Sequence, residues 1–232
     1  MFPFDPMYLL FIAPPLLLGL FAQWRVKSTF ASMSQVGARM SGAQAARQML
    51  DSAGLHQVGI EQVAGHLSDH YDPRAKVLRL SPEVYGGRSM AALGVACHEA
   101  GHAFQDAKGY APLTIRNMAV PAANFGSNIG VTLATIGLFL SYQTPTIGNA
   151  LLLLGIVLFA GVVFFQVVNL PVEFDASNRA RRHLVSANLI SANEEHFVAK
   201  VLNAAALTYV AGTLQAIMTL AYFIFRFMGD RR

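Results

Sequence analysis

The stretch VACHEAGHAF, residues 95 to 104, places two histidines and a glutamate inside an otherwise small and apolar run. Its alanine content favours a helix, and on a helix His98 and His102 stand one turn apart on the same face. Two ring nitrogens at that spacing can reach one metal ion. Glu99, next to His98, projects close enough to hold a water on that metal, the arrangement by which an HExxH helix builds a zinc peptidase site. Chance is the competing explanation: a shuffled chain of this composition would match the pattern on the order of once in two hundred tries. The stripe shared with the histidines, Ala91, Val95 and Gln105, is mostly small and apolar, so the helix can pack tightly and keep the site dry.

The elements that must position these residues belong to a membrane protein. Of 232 residues, 54% are hydrophobic and only 13% charged, too apolar for an ordinary soluble chain. The net charge of +4 does not point to nucleic acid, because Lys and Arg cluster beside apolar runs, where they set topology. A lone cysteine excludes an internal disulfide, and Cys97, about 100° around the helix from His98, reads as a small buried filler rather than a ligand.

Four apolar stretches approach the roughly 20 residues that a bilayer requires: 7–24, 118–140, 147–170 and 201–227. The first has no basic leader or small-residue cleavage site and reads as a retained anchor, kinked by Pro14 and Pro15. Only SYQTPT separates the second from the third, which predicts a tight hairpin. The segment 25–116 carries ten Lys and Arg, and Arg179, Arg181, Arg182 and Lys200 follow the third span. The positive-inside rule therefore puts both larger loops in the cytoplasm, although Arg226, Arg231 and Arg232 then fall outside. Arg179, Arg181 and Arg182 read as anchors at lipid headgroups. In the second span Asn124, Asn128 and Thr132 recur beside the pair Gly126 and Gly130, which predicts a small, polar face packed on neighbouring helices or, alternatively, a wet cavity leading to the metal.

Between the first two spans, Val26, Phe30, Met33, Val36 and Met40 predict an amphipathic helix. Ser41 with Gln44 forms a capping box for the next helix, which Gly54 ends. Two strand-like runs, 58–63 and 76–81, flank a turn-rich segment and predict a small antiparallel sheet. Asp69, His70 and Asp72 read as turn formers, and His56 and His66, also in polar turns, as non-ligands. Ser89 is the expected cap of the histidine helix, and Lys108 and Gly109 mark its end.

A two-histidine zinc site needs a further protein ligand, and a catalytic one keeps a position for water. That ligand, a His, Asp or Glu, must lie on the same side of the membrane as His98. The hairpin returns the chain to that side just before NLPVEFDASNRARRH, where Asn169 and Pro171 read as a helix start and Glu173 falls in the first turn. Glu173 answers either as a ligand or as a simple complement to the helix dipole.

HEAGH followed, after a membrane hairpin, by EFDAS resembles the YugP-like family of neutral zinc metallopeptidases of bacterial membranes. SGAQAARQML, LSDHYDPRAKVLRLSPEVYGGRS and LNAAALTYVA extend the likeness over most of the chain. It is more distantly similar to membrane gluzincins, which pair an HExxH helix with a later Glu in an E-x-x-A-D type motif. The resemblance implies one zinc ion held by His98, His102 and Glu173, with Glu99 as general base. It departs at Ser177, where the distant relatives carry Asp; a hydroxyl could still orient a ligand there, and Asp175, about 200° around the helix from Glu173, is a weaker substitute. For the oxyanion donor Arg182, His183 and Tyr209 are candidates without a choice among them. The run Lys76, Val77, Leu78, Arg79 and Leu80 is either an edge strand that pairs with an extended substrate or an ordinary half-buried strand.

The expected fold is a mainly α membrane protein of about four transmembrane helices with a small α+β gluzincin-like metalloprotease domain around the HExxH helix. The expected division is an N-terminal anchor (1–24), a peptidase domain (25–116), a transmembrane hairpin (117–170), a helix with the third ligand (171–200) and a C-terminal span (201–232). The expected activity is zinc-dependent endoproteolysis in a bacterial inner membrane, with the site on the cytoplasmic side. The expected partners are a peptide or membrane-protein substrate, the lipid bilayer, and a homo-oligomer or membrane-protein partner. A zinc-holding scaffold without activity is the alternative, and a transporter is disfavoured because the histidine helix lies outside the four spans.

Overall fold

The computed structural model describes residues 6–229; Arg231 and Arg232, counted in the charge balance, lie outside them. In chain order the elements are α1 (Pro6–Ser34), α2 (Gly42–Ser52), strands β1 (Gly59–Gln62), β2 (His70–Asp72) and β3 (Val77–Leu80), and a single turn, α3 (Pro82–Tyr85). Then follow α4 (Met90–Ala107), α5 (Ala111–Phe125), a π-helical turn (Gly126–Gly130), α6 (Val131–Leu140), α7 (Pro145–Ser186) and α8 (Glu195–Gly229). Among the described residues, four helical stretches are long and apolar enough to cross a membrane: α1, α5 through α6, α7 and α8. The protein is thus mainly helical, with a small mixed α/β region that contains the HExxH helix.

Two helices fuse segments that the sequence presents as separate. The first span and the expected amphipathic helix are one element, because no Gly or Pro interrupts residues 25–34; Val36 and Met40 lie beyond its end. Likewise α7 runs through Pro171 without restarting. A proline there forfeits one backbone hydrogen bond, a loss that membrane helices tolerate when neighbouring groups compensate.

The chain divides into two compact units. One comprises the residues up to Phe21, Ile115–Leu170 and those from Thr208 on; the other comprises Ala22–Thr114 and Pro171–Leu207. In the first, α5 and α6 fold back on α7 through a short turn in which Thr144 N–H donates to the Leu140 carbonyl at 2.7 Å. The helices then touch backbone to backbone: a Cβ on Gly137 would lie 2.2 Å from Leu152 N, and one on Gly126 would lie 2.4 Å from the Leu158 carbonyl. The small residues of the second span do pack, but the polar ones do not share that face. Asn124, Asn128 and Thr132 are exposed, because at helical spacing they project away from the side that the glycines give to α7.

In the second unit α2 starts on the expected capping box, with Gln44 N–H donating to Ser41 Oγ at 3.3 Å and Ser41 N–H to Gln44 Oε1 at 2.9 Å. Gly54 follows the helix in the left-handed region at φ +72°, where a side chain would be strained. The apolar face of α2, Ala45, Ala46, Met49 and Leu50, is buried in a core shared with Leu78, Leu80, Leu93 and Leu184. The methionine and leucine side chains among them each contribute roughly 1.5–3 kcal/mol by leaving water.

The sheet is mixed rather than antiparallel. Its order is β1-β3-β2, with β1 parallel and β2 antiparallel to β3. The cause is β2, whose three residues HYD carry no apolar pattern. Asp72 closes the β2–β3 turn by accepting from the N–H groups of Arg74 at 2.9 Å and Ala75 at 3.1 Å. The same carboxyl is held down at about 2 by Arg79 and these N–H groups. β3 therefore sits in the middle with both sides paired, so Lys76, Val77, Leu78, Arg79 and Leu80 cannot be the edge that receives a substrate. The open edges are those of β1 and β2.

Candidate metal centre

Helix α4 begins where Ser89 Oγ accepts the Ala92 N–H at 3.2 Å, and Gly109, at φ +58°, follows its end. Its small residues allow an unusually close approach to α7. A Cβ on Gly101 would lie 2.7 Å from the Ala176 carbonyl and 3.1 Å from Ala176 Cα. This contact brings the face of α4 that carries His98 and His102 against the turn of α7 that carries Glu173.

Glu173 Oε2 lies 3.2 Å from His98 Nε2 and 3.6 Å from His102 Nε2. One ligand atom from each of the three residues lies within 4.8 Å of the others, and among the described residues this is the one such group of three or more His, Cys, Asp or Glu. Zinc bonds of roughly 2.0–2.2 Å in a tetrahedron place ligand atoms about 3.3 Å apart, so the cluster has the right size. All three residues are buried, as is Glu99 beside them.

The other ring nitrogens show why Nε2 is the donor. Gln105 gives its amide N–H groups to the Val172 carbonyl at 2.8 Å and to Asp175 Oδ2 at 2.9 Å. Both partners are acceptors, so the amide cannot flip, and its oxygen faces His102 Nδ1 at 3.0 Å. That nitrogen must carry the proton, which leaves the Nε2 lone pair free for a metal. His98 Nδ1 lies 3.1 Å from Ser177 Oγ, a contact that orients the ring, with the hydroxyl able to accept the Nδ1 proton. The donor chemistry therefore fits one zinc ion, which two neutral imidazoles and a carboxylate would hold.

Electrostatics tie the site to pH. Burial disfavours the protonated imidazole of His102, but the hydrogen bond to Glu173 and the charges of Glu99 and Glu173 outweigh it and raise its pKa above the ordinary value. Cys97, by contrast, is fully buried and its thiol is pushed up to about 12, which makes it inert filler.

Ser177 and Glu173 thus join the histidines. Arg182 and His183 lie nine and ten residues beyond Glu173, roughly 13–15 Å along the helix. They line an open cleft of about 610 Å³ with Phe104, Asp175, Arg179 and Ser186. His183 Nε2 lies 3.2 Å from Ser52 Oγ. The backbone carbonyl of Tyr209 accepts from Thr213 Oγ1 at 2.9 Å. Arg179 and Arg181, expected at lipid headgroups, are ion-paired with Asp175 and Glu195. His56 and His66 pair with Asp51 and Glu83, and His70 Nδ1 meets the Ser68 carbonyl.

Sequence reasoning placed Gln105 on the histidine stripe without giving it a task. A glutamine three residues after a ligand, on an otherwise small and apolar stripe, is the available signal, since burying an amide without partners is costly. Asp175, as its position around the helix implies, touches neither histidine; it reaches His102 through Gln105.

Comparison with known proteins agrees with this geometry. The family described as "Putative neutral zinc metallopeptidase" matches residues 8–228. The "Putative membrane protease YugP" of Bacillus subtilis (strain 168) is 46% identical over 216 residues, which cover 92% of this chain and 93% of that protein. No solved structure matches the chain significantly. With the family matched over nearly the whole chain and a His-Glu-x-x-His helix meeting a distal glutamate, the chain belongs to this zinc metallopeptidase family and is a gluzincin-like, membrane-embedded member of it.

Proposed function

We propose that the protein cleaves peptide bonds at the cytoplasmic face of a bacterial membrane, with Glu99 moving the proton. The observation that carries this reading is the meeting of His98, His102 and Glu173, ligands 75 residues apart in sequence, beside a buried Glu99. Zinc, when bound, supplies Lewis acidity that activates water near neutral pH and polarises a carbonyl. Glu99 takes the proton of the attacking water and hands it to the leaving amine. Ser177 and Gln105 hold the imidazoles with Nε2 inward, and the buried surroundings limit competing water.

An extended substrate suits the outer edge of β2. That edge is tied to the end of α4 through Asp106, which accepts from Tyr71 Oη at 2.7 Å and Lys76 Nζ at 2.5 Å. Glu173 follows the apolar run 147–170 by three residues, about 5 Å along one helix, which favours membrane proteins or their exposed tails as substrates. The ten Lys and Arg of segment 25–116 support the cytoplasmic side.

Glu99→Gln tests the reading. In mild detergent both forms should hold one zinc, while only the native protein generates new N-termini in a denatured test protein. A variant that cleaves at the native rate would overturn the assignment of Glu99, and a zinc-loaded native protein that cleaves nothing would overturn the proteolytic reading itself.

A further inference from the structure

The second span carries polar groups where a bilayer offers them nothing. Gly126 abuts the Leu158 carbonyl, and a Cβ on Gly130 would lie 3.0 Å from Phe159 N. Leu158 and Phe159 fall at the middle of the apolar run 147–170, so the π-helical turn lies at mid-membrane depth. Asn124, Ser127, Asn128 and Thr132 are exposed at that level.

Among the described residues their side-chain hydrogen bonds stay within their own helix. Ser127 Oγ donates to the Asn124 carbonyl at 3.1 Å, Asn128 Nδ2 to the same carbonyl at 3.2 Å, and Thr132 Oγ1 to the Asn128 carbonyl at 2.7 Å. The Asn128 side-chain oxygen is left as an acceptor with no donor. In hydrocarbon such a group costs free energy until a partner satisfies it, and π-helical turns are enriched at functional positions.

We propose that this face is the interface between two copies of the chain, joined across a two-fold axis along the membrane normal. The amide chemistry selects that occupant. Asn128 has both a carbonyl and an N–H, so it is complementary to itself, and a parallel pair places Asn128 opposite Asn128, as an isologous interface requires. A lipid tail offers neither donor nor acceptor. The reading is independent of the proteolytic one, since every residue involved lies in the membrane unit.

The chain's single cysteine, Cys97, is buried, so an introduced thiol reports alone. Phe125→Cys lies one turn before Asn128 and is 60% exposed in the native residue, while Val157→Cys, 62% exposed and beside Leu158, is the control on α7. In oxidised native membranes Phe125→Cys should give a cross-linked species of twice the chain mass, and Val157→Cys should not. Adding Asn128→Leu should cut that species roughly tenfold, the scale of one interhelical polar contact, at unchanged zinc content. Three results would overturn the proposal: monomer only, equal cross-linking at both positions, or a product whose mass shows a different partner. Rapid maleimide labelling at 125 without a dimer would indicate a water-filled opening and would also overturn it.

Discussion

The two units of this protein use the same device, close contact of helices through glycine, to different ends. In the membrane unit contact is distributed: Gly126, Gly130, Gly137, Gly148 and Gly155 all bring backbone against backbone along the hairpin. In the metal-bearing unit, a single glycine, Gly101, sets the approach of α4 to α7 at the level of the ligands. Around it lies a chain of directed side-chain contacts between helices, from His102 through Gln105 to Asp175 and Arg179, whereas the polar contacts of Asn124, Ser127, Asn128 and Thr132 stay within their own helix. Close packing alone yields a stable hairpin, whereas close packing with fixed donors yields a site.

Removing a ligand should break that contrast most severely. Glu173→Ala or His102→Ala should abolish stoichiometric zinc binding and all hydrolysis, read by metal analysis and by product formation. Next, Gly101→Val should drive α4 off Ala176, where the obstacle is backbone and cannot yield. We expect zinc affinity to fall by at least the roughly 10–100-fold typical of disturbed ligand support, measured by competition with a chelator. The matching change in the other unit, Gly137→Ala, should lower stability by about 1–3 kcal/mol through overpacking and leave zinc affinity untouched. If Gly137→Ala strips zinc while Gly101→Val does not, the assignment of roles is reversed.

Smaller effects sharpen the account of the polar chain. Gln105→Leu frees the His102 ring and should weaken zinc roughly 10–100-fold. Asp175→Asn should cost only a few-fold, because the Val172 carbonyl still holds the Gln105 amide. Without zinc, the raised pKa of His102 adds stability below the ordinary imidazole value of about 6.5, and that stability is lost as pH rises through the raised pKa. Zinc must displace the same proton. The gain in melting temperature on adding zinc should therefore grow as pH rises across this window.

The sequence made one half of this contrast legible and obscured the other. His98, Glu99 and His102 are local, spaced by the helical period, and could be read directly. The caps at Ser41 and Ser89 are likewise local side-chain chemistry. Glu173 was reachable because the hairpin restricts which later residues can return to the same side. β2 escaped notice because three residues with one aromatic carry no period, and without β2 the central position of β3 is invisible. Pro171 misleads in the same way: read locally it marks a helix start, whereas α7 runs through it. Gln105 and Asp175 acquire their roles only in three dimensions, through partners that are 67 and 70 residues away from Gln105.

X-ray absorption at the zinc edge tests the central claim most directly, on native protein and on Glu173→Ala after both are incubated with excess zinc and freed of unbound metal. The native spectrum should fit two imidazole nitrogens and oxygen ligands at roughly 2.0–2.2 Å, and the variant should lose a carboxylate contribution or fail to retain the metal. A native spectrum without imidazole, or one that Glu173→Ala leaves unchanged, would contradict it.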